Sequence, residues 1–364
     1  MGAGRFISKG IRFKGGLAGW ATAVSFFLII TSIAISGGFR SEISAILADT
    51  YSDISMDCTS MLPALDSIPG IEAVRPAIVR GGIVRSGMHI TGAQFRGISG
   101  SDSIPSLSAS IPSSLASSTG LEVGDRLQTY FVGDRLQARV FTVSGIYEDL
   151  ADKSSAAVIK VPLGDLQRLE GLESDEFTSL DILLDGHLRT RDEMTSKARE
   201  ITLRTGIFAQ SLPDRFPALY DWLDLIDANV MAILLLMALV AGFNMISGLL
   251  ILLMQNISTI GILKSMGMSS RGIAGVFLRV ASAAVLKGMA LGNAAAALFC
   301  IIQGSTHLVR LNAENYFLSY VPVSADWVSF LAADLAAYVL IMIMLLLPTL
   351  FISRVDPART ARAD

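Results

Sequence analysis

The chain has 364 residues, of which 52% are hydrophobic and 17% charged, with a formal net charge of −3 and a mean hydropathy of +0.55. A soluble domain carries about 25% charged residues. The deficit here is concentrated in a few long apolar blocks, so the chain reads first as a membrane protein. No basic patch with interleaved aromatics occurs, which sets nucleic acid aside as a partner.

Residues 1–16 carry Arg5, Lys9, Arg12 and Lys14 without an acid and read as a cytoplasmic N-terminal segment. A transmembrane helix needs about 20 mostly apolar residues to cross a core of about 30 Å. The uncharged run from Leu17 to Ile35 supplies one, and the first span is assigned to residues 17–39. A basic start before an apolar run also describes a secretory signal, whose apolar region is usually about 7–15 residues. This run is longer and more spans follow, so it is read as an uncleaved anchor. Gly15, Gly19 and Ala23, four apart, put small residues on one face of its entry.

Residues 40–225 form a candidate extracytoplasmic domain of mixed α+β character. Short apolar runs bounded by Gly and Pro recur as strand candidates: Ile71 to Val79, Gly82 to Val84, His89 to Phe95, Arg126 to Val132, Ala138 to Ile146 and Ala156 to Val161. Phe141 and Val143 alternate with polar neighbours as in a half-buried strand. Pro112 opens a helix that Gly120 closes, and Arg191 to Arg204 is a second, weaker helix candidate. The serine-rich stretch Ser99 to Ser118 spaces Ile104, Leu107, Ile111 and Leu115 regularly, which favours an ordered segment over a linker.

Residues 226–255 give the second span, with Asn244 placed to make an interhelical hydrogen bond. In the cytoplasmic segment 256–272, Ile257, Ile260 and Leu263 stand at helical spacing. Gly267 is the expected stop, and a turn runs through Ser269 and Ser270. A short amphipathic helix between two spans can seat in a groove on a soluble partner or simply turn along the membrane surface. Spacing alone leaves both open. The third span, 273–303, carries Arg279 and Lys287 eight apart on one face. These are either functional or cations that snorkel to the interface. Ala284, Gly288 and Gly292 form a second small-residue ridge. A short loop, 304–326, leads to the fourth span, 327–352, interrupted by Asp334 close to an interface and by Pro348 near the end. Residues 353–364 form the tail.

Nine Lys and Arg flank the spans on the side of the N-terminus, the 256–272 segment and the tail, against Arg310 alone in the short loop. This places both termini in the cytoplasm. The chain has no G-x-x-x-x-G-K-[ST], no H-E-x-x-H, no G-x-S-x-G and no C-x-x-C, so nucleotide binding by a P-loop and zinc or serine hydrolysis are not indicated. Intramembrane carboxylates are nearly missing, which argues against a proton-driven carrier. Cys58 and Cys300 fall in separate segments, and His89, His187 and His307 have no ligand spacing. The chain is therefore expected to hold no catalytic residues, no metal and no cofactor.

IGILKSMGMSSRGI, from Ile260, resembles the coupling segment of FtsX-like permeases, and more closely of the lipoprotein-releasing LolC/LolE type. LKGMALGNAAAALFCIIQ from Leu286, NYFLSYVPVSADW from Asn315 and PTLFISRVDPARTAR with its Asp356-Pro357 pair resemble the third span, the last loop and the C-terminus of that family. LASSTGLEVGDRLQTYF and FTVSGIYED resemble its external domain. Gln255, Asn256 and Ser258 stand where relatives usually carry a Glu-x-Arg pattern. That departure bears on polar contacts to an ATPase, not on apolar ones.

The resemblance implies an α-helical membrane protein with four transmembrane helices plus a periplasmic core-like α+β domain, multi-pass in a bacterial inner membrane. It implies a permease driven by a separate cytoplasmic ABC ATPase subunit. The ATPase would be coupled through Ile257, Ser258, Ile260, Gly261, Leu263, Lys264, Met266 and Gly267, with Ile260 and Leu263 as the hydrophobic seat. A second permease copy or a related permease, membrane lipid and a lipoprotein substrate are the further partners, with a periplasmic carrier left open. Arg279, Lys287 and Asn244 are the intramembrane candidates. A cell-division permease controlling a peptidoglycan hydrolase, a MacB-type export permease and a non-transporting scaffold remain alternatives.

Overall fold

The computed structural model describes residues 16–353 apart from 63–64, 66, 87–88, 100–104, 133–135, 151–155, 186–189, 313–315 and 317. The basic group from Arg5 to Lys14, Gly15, Ile104, His187 and the tail from Arg354 lie outside the described residues.

In chain order the elements are α1 (Gly16–Thr50), β1 (Ile54–Asp57), β2 (Ile71–Ser86), β3 (His89–Ile98), β4 (Ser108–Pro112), α2 (Ser113–Thr119), β5 (Arg126–Val132), β6 (Leu136–Tyr147) and β7 (Ala157–Pro162). Then follow α3 (Leu163–Glu170), β8 (Ser179–Leu184), α4 (Arg191–Thr205), β9 (Ala209–Ser211), α5 (Leu212–Arg215), α6 (Pro217–Gln255), α7 (Ile257–Ser265), α8 (Ser270–Thr306), α9 (Trp327–Met344) and α10 (Leu346–Ser353). Two compact units result. One gathers the chain up to Arg40, Asp224–Arg310 and the chain from Val321; the other holds Ser41–Leu223 and Leu311–Tyr320.

Four stretches are long and apolar enough to cross a bilayer, Ala18–Ala48, Pro217–Gln255, Ser270–Thr306 and Trp327–Thr349, and the first unit holds all of them except the end of the first, from Ser41, and the start of the second, up to Leu223. Two of these helices outrun the apolar runs that announce them. α1 continues past Arg40 because Phe39, Ile43 and Leu47 keep one apolar residue per turn, all buried, with no Gly or Pro to end the helix. α6 starts at Pro217, a residue suited to a first helical turn. It carries Asp221, Asp224 and Asp227 on the way to its apolar stretch. Hydropathy stops at charge; a helix does not.

The other unit is built on a nine-stranded sheet. Strands β2-β3-β7-β4-β6-β5 close into a ring, since β2 pairs with both β3 and β5, and β2 also leads outward to β8, β1 and β9. β2 manages this by length: Ala73–Ala77 face β8, Ile83–Arg85 face β5, and Ala77–Ser86 face β3. Two separate strands were expected here, Ile71 to Val79 and Gly82 to Val84. The strand runs through, and Gly82 has a packing role instead: a Cβ there would lie 2.9 Å from the Phe95 ring and 3.1 Å from Phe131. The missing side chain admits the aromatic core, in which the Phe95 and Phe131 ring centroids are 4.7 Å apart, an edge-to-face pair.

β3, β5, β6, β7 and α4 lie where their apolar runs and spacing put them. Pro112 ends β4 and caps α2 rather than opening its first turn, and Gly120 closes it at φ 68°. Phe141 and Val143 are buried between exposed neighbours, as the alternation implies. Ile111 and Leu115 are buried and ordered. β1, β4, β8, β9 and α3 were not anticipated.

Candidate functional site

α6 and α7 are separated by one residue. Asn256 leaves helical geometry (φ −113°, ψ 25°) while its Nδ2 donates back to the Leu252 carbonyl at 2.8 Å. The chain thus turns without orphaning that acceptor. α7 ends on Gly267 at φ 85°. There the Met268 amide donates to Leu263 O at 3.0 Å and the Gly267 amide to Lys264 O at 3.0 Å, a glycine C-cap. Ser269 then caps α8 by accepting from the Gly272 amide at 3.2 Å, the typical service of an N-cap serine. The segment is therefore a helix held between two stops.

Its two faces differ. Ile260 is 1% exposed and belongs to the helical core with Leu252, Leu253, Ile273 and Phe277, against which Leu263 is also packed, half-buried. Gly261 is buried beside it. Ile262 is 57% and Met266 78% exposed, one turn apart on a face they share with exposed Ser258. Ile257 lies at the edge of that face, Lys264 is half-buried, and Gly267 is exposed. Of the residues expected to form the hydrophobic seat, Ile260 lies inside the helical core and Leu263 packs partly against it, while Ile262 and Met266 are the more exposed apolar residues of α7.

Behind α7 the bundle is locked by small-residue contacts. A Cβ on Gly292 would fall 2.4 Å from Ala23 O and 2.8 Å from Phe26 Cβ. One on Gly288 would fall 3.0 Å from Thr22 and 3.2 Å from Gly19 O. The two ridges seen in sequence thus meet each other, joining α1 to α8 within one chain. Phe27 and Phe299 add a T-shaped contact with centroids 6.3 Å apart.

Polar contacts join other pairs. Asn293 of α8 donates to Asp334 of α9 at 2.5 Å, and Ser282 and Tyr338 hydrogen-bond across the same two helices at 2.8 Å. Arg40 at the far part of α1 pairs with Asp224 at 3.3 Å and more closely with Asp227, which also accepts from Ser36. Gln303, buried in α8, donates to the carbonyls of Val309 (3.2 Å) and Val321 (3.0 Å), fixing the ends of the loop between α8 and α9. Arg279 and Lys287 are exposed on α8. Asn244 is half-buried and makes no hydrogen bond to another helix among the described residues; Asn293 does. Among the described residues no cluster of His, Cys, Asp and Glu could hold a metal ion, and Cys58 and Cys300 are free.

Residues 231–357 match the family model described as FtsX-like permease C-terminal. The lipoprotein-releasing system transmembrane protein LolC of Xylella fastidiosa is 26% identical over 263 residues, 67% of this chain and 62% of that protein. The chain therefore spans under two thirds of the length of that relative. LolC of Neisseria meningitidis serogroup B is 22% identical over 395 residues, 96% of this chain and 93% of that protein. LolE of Haemophilus influenzae is 22% identical over 207 residues, 55% of this chain and 49% of that protein. Among solved structures, the periplasmic region of MacB from Actinobacillus actinomycetemcomitans covers 47% of this chain and 94% of its own at 12% identity and a TM-score of 0.30. The extracellular domain of YknZ from Gram-positive bacteria covers 44% and 99% at 15% identity and 0.28. At those scores the two structural likenesses carry no weight here.

Proposed function

We propose, from the match of residues 231–357 to the FtsX-like permease model and the similarity to LolC and LolE, that the chain is the membrane subunit of an ATP-driven transporter that releases lipoproteins from the inner membrane. A separate cytoplasmic ABC ATPase supplies the energy, and a second permease, identical or related, completes the assembly. Both termini and α7 face the cytoplasm, and the sheet unit faces the periplasm.

The observation that carries this reading is the division of α7. Ile262 and Met266 present an apolar pair that the chain itself leaves uncovered, for a partner's groove, while Ile260 on the opposite side is seated in the helical core. A displacement applied to the outer face must move Ile260, and with it the packed bundle, because a close-packed interior transmits strain rather than absorbing it. α1 and α6 lead along the chain from the bundle into the sheet unit and carry that displacement outward as a rigid-body change. The enzyme activity resides in the partner, and this chain converts the partner's closure into work on a lipid-anchored substrate.

Depletion of the chain in its host tests the output. Lipoproteins destined for the outer membrane should accumulate in the inner membrane. Chained cells with lipoproteins correctly sorted would sink lipoprotein release and point to a cell-division role.

A further inference from the structure

Arg96 of β3 and Lys160 of β7 are direct partners across a parallel ladder, and Ser110 of β4 is the partner of Lys160 on its other side. Side chains alternate along a strand, so these three share a face opposite to Phe95 and Ile159, which are fully buried. Like charges directly across from one another destabilise a sheet, and burying them raises the cost. Both are nonetheless buried, Arg96 to 3% and Lys160 to 7% exposure. The Arg96 guanidinium is offset by Asp181 of β8 at 2.5 Å, which also accepts from Ser52 at 3.0 Å. The Lys160 ammonium stands 3.9 Å from the centre of the Tyr147 ring.

These groups line one cavity of about 540 Å³ in the sheet unit, with Arg75 and the chain at the end of α1 also on its wall. That volume falls in the range of small-ligand sites, about 300–1,000 Å³. Three cations and one carboxylate make the lining positive. One further atom points the same way. Thr50 lines the cavity and is 8% exposed, yet its Oγ1 is buried with no hydrogen-bond partner among the described residues. Buried hydroxyls are normally satisfied.

We propose that this cavity is a binding site for a phosphate group. Arg96, Lys160 and Arg75 supply charge from three strands, and the Thr50 hydroxyl donates to a further oxygen. Donors converging from several directions suit a tetrahedral oxyanion, which takes both the guanidinium fork of Arg and the point charge of Lys. A free phosphate or phosphate ester and the headgroup of a phospholipid carry the same chemistry. The inference rests on the sheet unit alone and stands or falls separately from lipoprotein release.

The test uses the full chain in a phosphate-free maltoside detergent, as wild type, Lys160→Gln and Thr50→Val. In one arm inorganic phosphate is titrated and its ³¹P line width followed. In the other, phosphatidylglycerol is added to the micelles and the lipid retained on the protein is counted by native mass spectrometry. Saturable binding in either arm is expected, weakened about tenfold or more by Lys160→Gln and a few-fold by Thr50→Val. The arm that responds identifies the source. Absence of binding of both probes would overturn the proposal, as would binding that neither folded variant weakens. If Lys160→Gln does not fold, Thr50→Val decides, and unchanged binding in that variant is the overturning result.

Discussion

Asn293 in α8 donates through Nδ2 to Oδ2 of Asp334 in α9 at 2.5 Å, and Oδ1 of Asn293 and Oδ1 of Asp334 are both buried without a partner among the described residues. Asp334 is 7% exposed, packed inside the bundle. A carboxyl group there depends on the one donor it has. Asn293→Leu should therefore destabilise the chain by about 1–3 kcal/mol. Asn293→Leu with Asp334→Leu should recover most of that loss, since nothing is then left unsatisfied. Thermal unfolding in detergent measures both; simple addition of two losses would contradict the pairing.

The α1–α8 contact makes opposite predictions for two glycines of one helix. Gly292→Ala places a methyl 2.4 Å from the Ala23 carbonyl, a backbone atom that cannot step aside, and should cost about 1–3 kcal/mol. Gly275→Ala enters open space and should be neutral or stabilising by up to about 1 kcal/mol. Equal melting temperatures for the two variants would mean that the ridges do not interlock.

On α4, the hydrogen bond from Lys197 at 2.8 Å, with help from Arg204 at 2.9 Å, holds the Glu200 carboxyl below its ordinary value. A depressed carboxylate contributes stability that is fully present above the ordinary value of about 4.3 and is lost as pH falls through the folded value. The group is partly exposed, so the effect stays under about 1 kcal/mol. Acid titration of unfolding should be shallower in Glu200→Gln than in wild type over that window, and identical curves would remove the ion pair from the account.

The two faces of α7 predict two different failures. Ile260→Asp puts a carboxylate into the helical core and should abolish stable folding. Ile262→Asp should leave the melting temperature unchanged. In the reconstituted complex it should lower lipoprotein release at least about tenfold while ATP hydrolysis persists, because only the apolar seat is altered. Normal release in Ile262→Asp would detach α7 from the coupling role.

What could be read from sequence followed from local chemistry. Apolar length marked four spans, Gly120 and Gly267 marked helix ends, and the Gly288–Gly292 and Gly19–Ala23 ridges marked a close packing surface. What could not be read depended on distant partners. β8 (SLDILL) hides as a strand because Asp181 interrupts its apolar run, and Arg96, 85 positions away in the chain, together with Ser52, compensates that buried carboxylate. Ile260 and Ile262 are equally apolar in sequence, and only Phe277 and Leu253 packing on one of them tells the faces apart. The charged turns of α1 and α6 escaped because Arg40 answers Asp224 and Asp227 across the whole sheet unit in sequence.

A photo-crosslinker in place of Ile262 tests most directly whether α7 receives work from a cytosolic motor. In intact cells it should capture a cytoplasmic ATPase subunit, and the same probe at Ile260 should not. Capture of lipid or periplasmic protein alone from position 262, with no ATPase, would contradict the proposed coupling and the orientation with it.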